Sequence, residues 1–286
     1  MEKTHATAML HDGSMIDLEV QGQGPALMIP VNPATIKAAQ ADEMQKRGVE
    51  PLLGRSLVDG LRDKFRVIAF DYEGHLLQTP QPDTLTPINI ANDLLAVADA
   101  ADARQFAYYG YSWLALSGMQ LAMRTDRLTA LIMGGFPPMG GPYKAMLTVN
   151  QATHEIASTS KEPSKTSPSS AEKTDWNSRV IALTESQTRQ FVTLYQALQE
   201  FDDRTAQARI TCPRLCFAGS ADRIVYGERW KNTVVHIAAP LIEQKAELEA
   251  LGWEVRILDG LTHSKAMLAD AVLPVILPWL ISRLIF

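Results

Sequence analysis

The chain has 286 residues, 46% of them hydrophobic and 21% charged, with a formal net charge of −5. A chain of this length buries a full core without disulfides or a structural metal, and charges scattered in both signs with no basic block argue against nucleic acid as a partner. No apolar run reaches the roughly 20 residues a membrane helix needs, and the start Met1-Glu2-Lys3-Thr4-His5 has no apolar stretch of the kind a secretory signal carries. The expectation is a cytoplasmic protein whose partner is a small molecule, with no membrane association; the oligomeric state is left open. Cys212 and Cys216 have no His or Cys cluster beside them. They read as small residues entering a buried strand, so no metal site is expected.

In chain order, the first 30 residues read as strands. Ile16, Leu18 and Val20 alternate with Asp17 and Glu19 after an Asp12-Gly13 turn signal. Ala26-Leu27-Met28-Ile29 is an all-apolar run of the kind found in a strand covered on both faces. Strand then alternates with helix. Arg66 to Phe70 is a strand ending at Asp71. Thr86 and Pro87 supply an N-cap and a first helical residue, and Leu94, Leu95, Val97 and Ala98 give that helix an apolar face. Phe106-Ala107-Tyr108-Tyr109 is a strand, followed by a helix from about Ser112 to Arg124, then a strand at Ala130 to Met133. Leu215 to Ala218 and Glu254 to Leu258 are late strands, and the apolar stretch from Val272 to Phe286 reads as a docked terminal helix. This alternation predicts an α/β fold: a mostly parallel central sheet with helices on both faces.

Between Phe136 and Pro213 no strand signal occurs. Ala157 to Lys173 is rich in Ser, Thr, Pro and Lys and reads as a mobile loop. Thr184 and Gln187 form a capping-box signal ahead of an amphipathic helix bearing Phe191, Val192, Leu194, Tyr195 and Leu198. The expected division is a core of residues 1–136 and 211–286 with a helical cap at 137–210.

Gly110-Tyr111-Ser112-Trp113-Leu114 sits where a strand meets a helix, the setting of a nucleophile elbow. A sharp turn there lifts the serine hydroxyl off the sheet, Gly110 lets strand and helix approach closely, and free helix N–H groups favour developing negative charge. A serine needs a base, and the base an orienting acid. Asp222 lies in the loop after a late strand and His263 in the loop after the last strand, so Ser112, Asp222 and His263 all fall just past strand ends, where an open parallel sheet gathers its ligands. Each has an ordinary reading too: Asp222 as a helix cap, His263 as a loop histidine. Tyr111, Tyr143, Trp176, Phe191, Tyr195 and Phe201 are candidates to line an apolar substrate pocket, though such residues are more often core. His75 and Glu73, after the strand ending at Asp71, are candidates to approach it; His5, His11, His154 and His236 have no partner visible in sequence.

These segments, together with Gly24 to Ile29, Val67 to His75, Gly219 to Asp222 and Leu261-Thr262-His263, resemble the α/β-hydrolase superfamily over nearly the whole chain. The resemblance implies the triad Ser112, Asp222 and His263, a cap inserted after the sixth strand, and neither cofactor nor metal. Two departures stand out. The family's usual His-Gly after the third strand is replaced by Pro30-Val31, followed by Asn32-Pro33. Aligned so, Asn32 and Trp113 donate the oxyanion-hole N–H groups; one residue later stands Pro33, which has none. The small residue usual two places after the serine is Leu114, which is expected to crowd the contact between helix and strand. The leading functional reading is hydrolysis of a carboxylic ester or related acyl bond. The alternatives are other chemistry on the same fold (amide or C–C hydrolysis, peracid formation, a lyase) and a small-ligand-binding protein without turnover.

Overall fold

The computed structural model describes residues 4–34, 50, 52–159 and 183–285. Eight strands form one sheet: β1 (Thr4–Met9), β2 (Met15–Gln21), β3 (Ala26–Ile29), β4 (Arg66–Ala69), β5 (Phe106–Tyr111), β6 (Leu128–Gly134), β7 (Arg214–Gly219) and β10 (Trp253–Leu258). Their spatial order is β1-β2-β4-β3-β5-β6-β7-β10. The pairs β1/β2 and β2/β4 are antiparallel; the rest of the sheet is parallel. β8 (Arg223–Val225) and β9 (Val234–His236) make a separate hairpin.

Strand side chains alternate between two apolar clusters, one on each face of the sheet. Phe106 and Tyr108 of β5, Leu131 and Met133 of β6, and Cys216 of β7 face one way. Ala107, Tyr109 and Tyr111, Ala130 and Ile132, and Leu215 and Phe217 face the other. Both faces therefore need cover, which explains the nearly unbroken apolar runs. The first face is covered by α3 (Pro87–Ala100), α4 (Trp113–Ala122), α8 (Ala238–Glu243) and α9 (Lys245–Ala250). The second is covered by α1 (Leu53–Leu61), α10 (His263–Ala266) and α11 (Ala269–Leu284). The Thr86 hydroxyl caps α3 by accepting the Asn89 N–H at 3.3 Å, with Pro87 at the first helical position.

Among the described residues between β6 and β7 there is no strand but there are three helices: α5 (Tyr143–Thr159), α6 (Glu185–Gln196) and α7 (Asp203–Ala206). The capping box at Thr184 and Gln187 forms in full. Beyond Thr159, the stretch expected to be a mobile loop, and Trp176, lie outside the described residues. Three features have no counterpart in the sequence reading, the β8/β9 hairpin, α1 and α2 (Tyr72–Gln78). α2 forms because the Asp71 carboxylate accepts the Gly74 N–H at 2.9 Å and caps a segment whose Gly and His disfavour helix. α6 is seated on the α2 side of the core. Gln187 donates to the Leu77 carbonyl at 2.5 Å and Thr193 to Pro82 at 2.6 Å. Gln190, fully buried, donates to the Leu76 carbonyl and accepts the Gln81 N–H, both at 3.1 Å.

A buried polar knot anchors the start of α2. Asp93 is fully buried and accepts the Tyr72 hydroxyl at 2.7 Å, the His11 backbone N–H at 2.7 Å and a His11 ring nitrogen at 2.9 Å. Removing the acceptor strands donors away from water, which costs more than a bond is worth. Asp93→Ala is expected to lose about 3 kcal/mol of unfolding free energy, read from the midpoint of urea denaturation; a midpoint unchanged from wild type contradicts that role.

Candidate active site

The parallel strands gather the site. β3 leads to β4 on one side, yet β5 pairs with β3 on the other, Leu27 opposite Ala107 and Met28 opposite Tyr108. The loops after β3 and β5 therefore part at a switch point, where an open sheet forms its crevice. Asn32 follows β3, Asp71 follows β4, Ser112 follows β5, Asp222 follows β7 and His263 follows β10. Two surface grooves, about 390 and 580 Å³, lie at the opposite rim, where Pro25, Leu128, Pro213 and Trp253 begin the strands. That rim holds none of the predicted site residues.

Ser112 has φ 57° and ψ −130°, a conformation that costs a non-glycine residue about 1–3 kcal/mol. Its N–H is held by the Gly134 carbonyl at 2.8 Å, and its carbonyl accepts from Ala115 and Leu116, so the turn is fixed on both sides. A Cβ at Gly110 would stand 2.3 Å from the Leu114 carbonyl oxygen, so only glycine lets β5 and α4 meet this closely. Leu114 does not hold strand and helix apart, as that close approach shows. It is buried in the apolar cluster on the α4 face of the sheet, and its carbonyl accepts the Tyr108 hydroxyl at 2.9 Å.

The structure brings Ser112, His263 and Asp222 into one line. The Asp222 carboxylate, fully buried, lies 2.9 and 3.1 Å from His263 Nδ1, and His263 Nε2 lies 3.2 Å from Ser112 Oγ. A carboxylate only accepts, so Nδ1 carries the proton and Nε2 presents its lone pair to the hydroxyl. The Asp222 carbonyl accepts the N–H groups of Ile237 and Ala238, tying this loop to the start of α8. Tyr111 sits behind the histidine: its hydroxyl donates to the His263 carbonyl at 2.7 Å and its ring lies 5.2 Å from the imidazole. Burial, with the Asp222 charge nearby, pushes its phenol far above the ordinary range, so the donor stays protonated.

In the loop after β3, Pro30 and Pro33 have no N–H, that of Val31 is taken by the Ile29 carbonyl at 2.9 Å, and that of Ala34 by Asn32 Oδ1 at 2.9 Å. Among the described residues the Asn32 N–H is thus the one in this segment without a hydrogen-bond partner. A Cβ at Gly54 would stand 1.9 Å from the Asn32 carbonyl oxygen, so α1 can support this loop only through a glycine. The Trp113 N–H opens α4, where no intrahelical acceptor exists.

The remaining predicted residues separate. Phe191 of α6 packs edge-on against Trp113, with ring centroids 5.3 Å apart. Tyr195 is buried in the insertion, and Tyr143 packs between Phe136 and Phe201. His75 hydrogen-bonds to the Ser14 hydroxyl at 2.8 Å. Glu73 accepts the Trp113 indole N–H at 2.8 Å. His11 finds the buried Asp93, a partner 82 residues away that sequence proximity cannot reveal. Tyr111 does have a sequence signal: in step with Ala107 and Tyr109, it belongs to one strand face. Among the described residues no three His, Cys, Asp or Glu side chains cluster as metal ligands, and no helix is long and apolar enough to cross a membrane.

No family model and no curated protein matches this chain. Solved structures match over almost the full length of both chains. A hydrolase from Pseudomonas aeruginosa PA01 has a TM-score of 0.61 at 20% identity, over 97% of this chain and 98% of that one. A carboxylesterase of Nitrososphaera gargenis gives 0.62 at 17% identity, over 97% and 98%. A haloalkane dehalogenase loop variant from Bradyrhizobium elkanii gives 0.61 at 15% identity, over 99% and 97%.

Proposed function

We propose that this chain, whose fold is that of the α/β-hydrolases, is a serine hydrolase that cleaves a carboxylic ester or related acyl bond of a small, mostly apolar substrate. The observation that carries the reading is the hydrogen-bonded line from Asp222 through His263 to a serine in a strained elbow. In the first half-reaction Ser112 Oγ attacks the carbonyl carbon while His263 Nε2 takes its proton. The tetrahedral intermediate collapses, the same proton passes to the leaving alcohol, and an acyl-enzyme remains. Water, deprotonated by His263, then attacks it; the acid departs and Ser112 recovers its proton. The backbone N–H groups of Asn32 and Trp113 hold the oxyanion, and Asp222 stabilises the imidazolium.

In this reading residues 137–210 are a cap over a core of 1–136 and 211–286. Phe191, seated through α6 on α2 and the loop after it, gives the acyl or alkyl group an apolar wall beside Trp113. A ligand-binding protein without turnover has no need of a serine held at this cost in backbone energy. The test is a fluorophosphonate probe followed by a screen of short and long acyl esters of 4-nitrophenol. Stoichiometric labelling at Ser112 with turnover of at least one ester is expected. A protein that neither labels nor turns over any of them is not a serine hydrolase.

A further inference from the structure

We propose that Asp71 and Glu73 are positioning residues for the oxyanion hole. The proposal rests on the hydrolase reading above. Its basis is that the two residues assigned as oxyanion donors, distant in sequence, are tied by their side chains to one three-residue segment. Asn32 Nδ2 donates to Asp71 Oδ2 at 2.7 Å, and Trp113 Nε1 donates to Glu73 Oε2 at 2.8 Å.

Each tie is itself held. Asp71 Oδ1 accepts the Gly74 N–H, so the carboxylate that grips Asn32 is fixed by the cap of α2. Asn32 Oδ1 accepts the Ala34 N–H, so its amide is gripped from both sides. The Trp113 indole lies between Tyr72, at 6.1 Å, and Phe191, at 5.3 Å. Tyr72, the middle residue of the segment, is anchored to the buried Asp93 at 2.7 Å. The segment is therefore a rigid bracket, rooted in the core, with one carboxylate reaching to each donor.

The bracket answers a need particular to this chain. Pro30-Val31-Asn32-Pro33 has no glycine turn to set the peptide plane of Asn32, and prolines fix only their own φ. Oxyanion donors act only if aimed before charge develops, and a misplacement of about 1 Å costs about 10²-fold in rate.

The experiment uses the full chain, with 4-nitrophenyl butyrate as the neutral ester. Wild-type labelling by the fluorophosphonate probe is the control. Asp71→Ala and Glu73→Ala are each expected to lower kcat on the neutral ester about 10–100-fold, with KM changed less than about threefold. Glu73→Gln keeps an acceptor for the indole and is expected to recover most of kcat. Asp71→Asn has one acceptor oxygen for two donors and is expected to fall between wild type and alanine. If Asp71→Ala does not fold, the exposed Glu73 pair still decides. Wild-type kcat in Glu73→Ala, or a kcat in Glu73→Gln as low as that of Glu73→Ala, overturns the proposal while leaving the hydrolase reading intact. A wild-type protein that neither labels nor turns over ester overturns both.

Discussion

Ser112→Ala is expected to abolish fluorophosphonate labelling and to cut ester turnover by about 10⁶, because the attacking oxygen and the covalent intermediate are lost together. The residual rate belongs to binding and the oxyanion donors alone. Folding is not expected to suffer. The elbow is held by backbone bonds, Ser112 N–H to the Gly134 carbonyl and the Ala115 N–H to the Ser112 carbonyl, and none of them uses the hydroxyl. Alanine inherits the same backbone strain at φ 57°, so the melting temperature stays close to that of wild type. Turnover within about tenfold of wild type would mean that another group performs the attack, and would remove Ser112 from the mechanism.

Asp222→Asn is expected to lower kcat by about 10⁴ with KM little changed. The carboxylate is fully buried and faces His263 Nδ1. An amide there can turn its NH₂ toward Nδ1, and the imidazole then moves its proton to Nε2, where it meets Ser112 without a lone pair to offer. The charge that would stabilise the imidazolium also disappears. Because the shape of the side chain is preserved and its backbone bonds to Ile237 and Ala238 remain, the loss is chemical. It separates from unfolding by circular dichroism and by substrate affinity measured in the inactive variant. A loss below about tenfold in kcat would mean that the buried acid does not set the tautomer.

Several layers of this protein are written in its sequence. Period-2 alternation marks β2, continuous apolar runs mark β3 and β5 to β7, and Thr86-Pro87 marks the start of α3; all are local signals with local causes. The elbow at Ser112 is legible because a glycine, a serine and a strand–helix junction coincide. Asp222 and His263 are legible because each follows a strand. The β8/β9 hairpin is illegible because strands of three residues are too short to show a periodicity. α2 is illegible because its intrinsic preference is poor and its cap is a single carboxylate.

What the sequence by itself determined is therefore most of the elements, their α/β class and the placing of Ser112, Asp222 and His263 just past strand ends. What only the tertiary structure decided is which distant side chains meet: His11 with Asp93, His75 with Ser14, Asn32 with Asp71, Trp113 with Glu73, and Tyr111 with the backbone of His263. The physical reason is range. Backbone propensity and apolar period act within a few residues and leave their trace there, whereas a hydrogen bond between loops depends on the order in which strands pair, and neither partner shows it in its own neighbourhood.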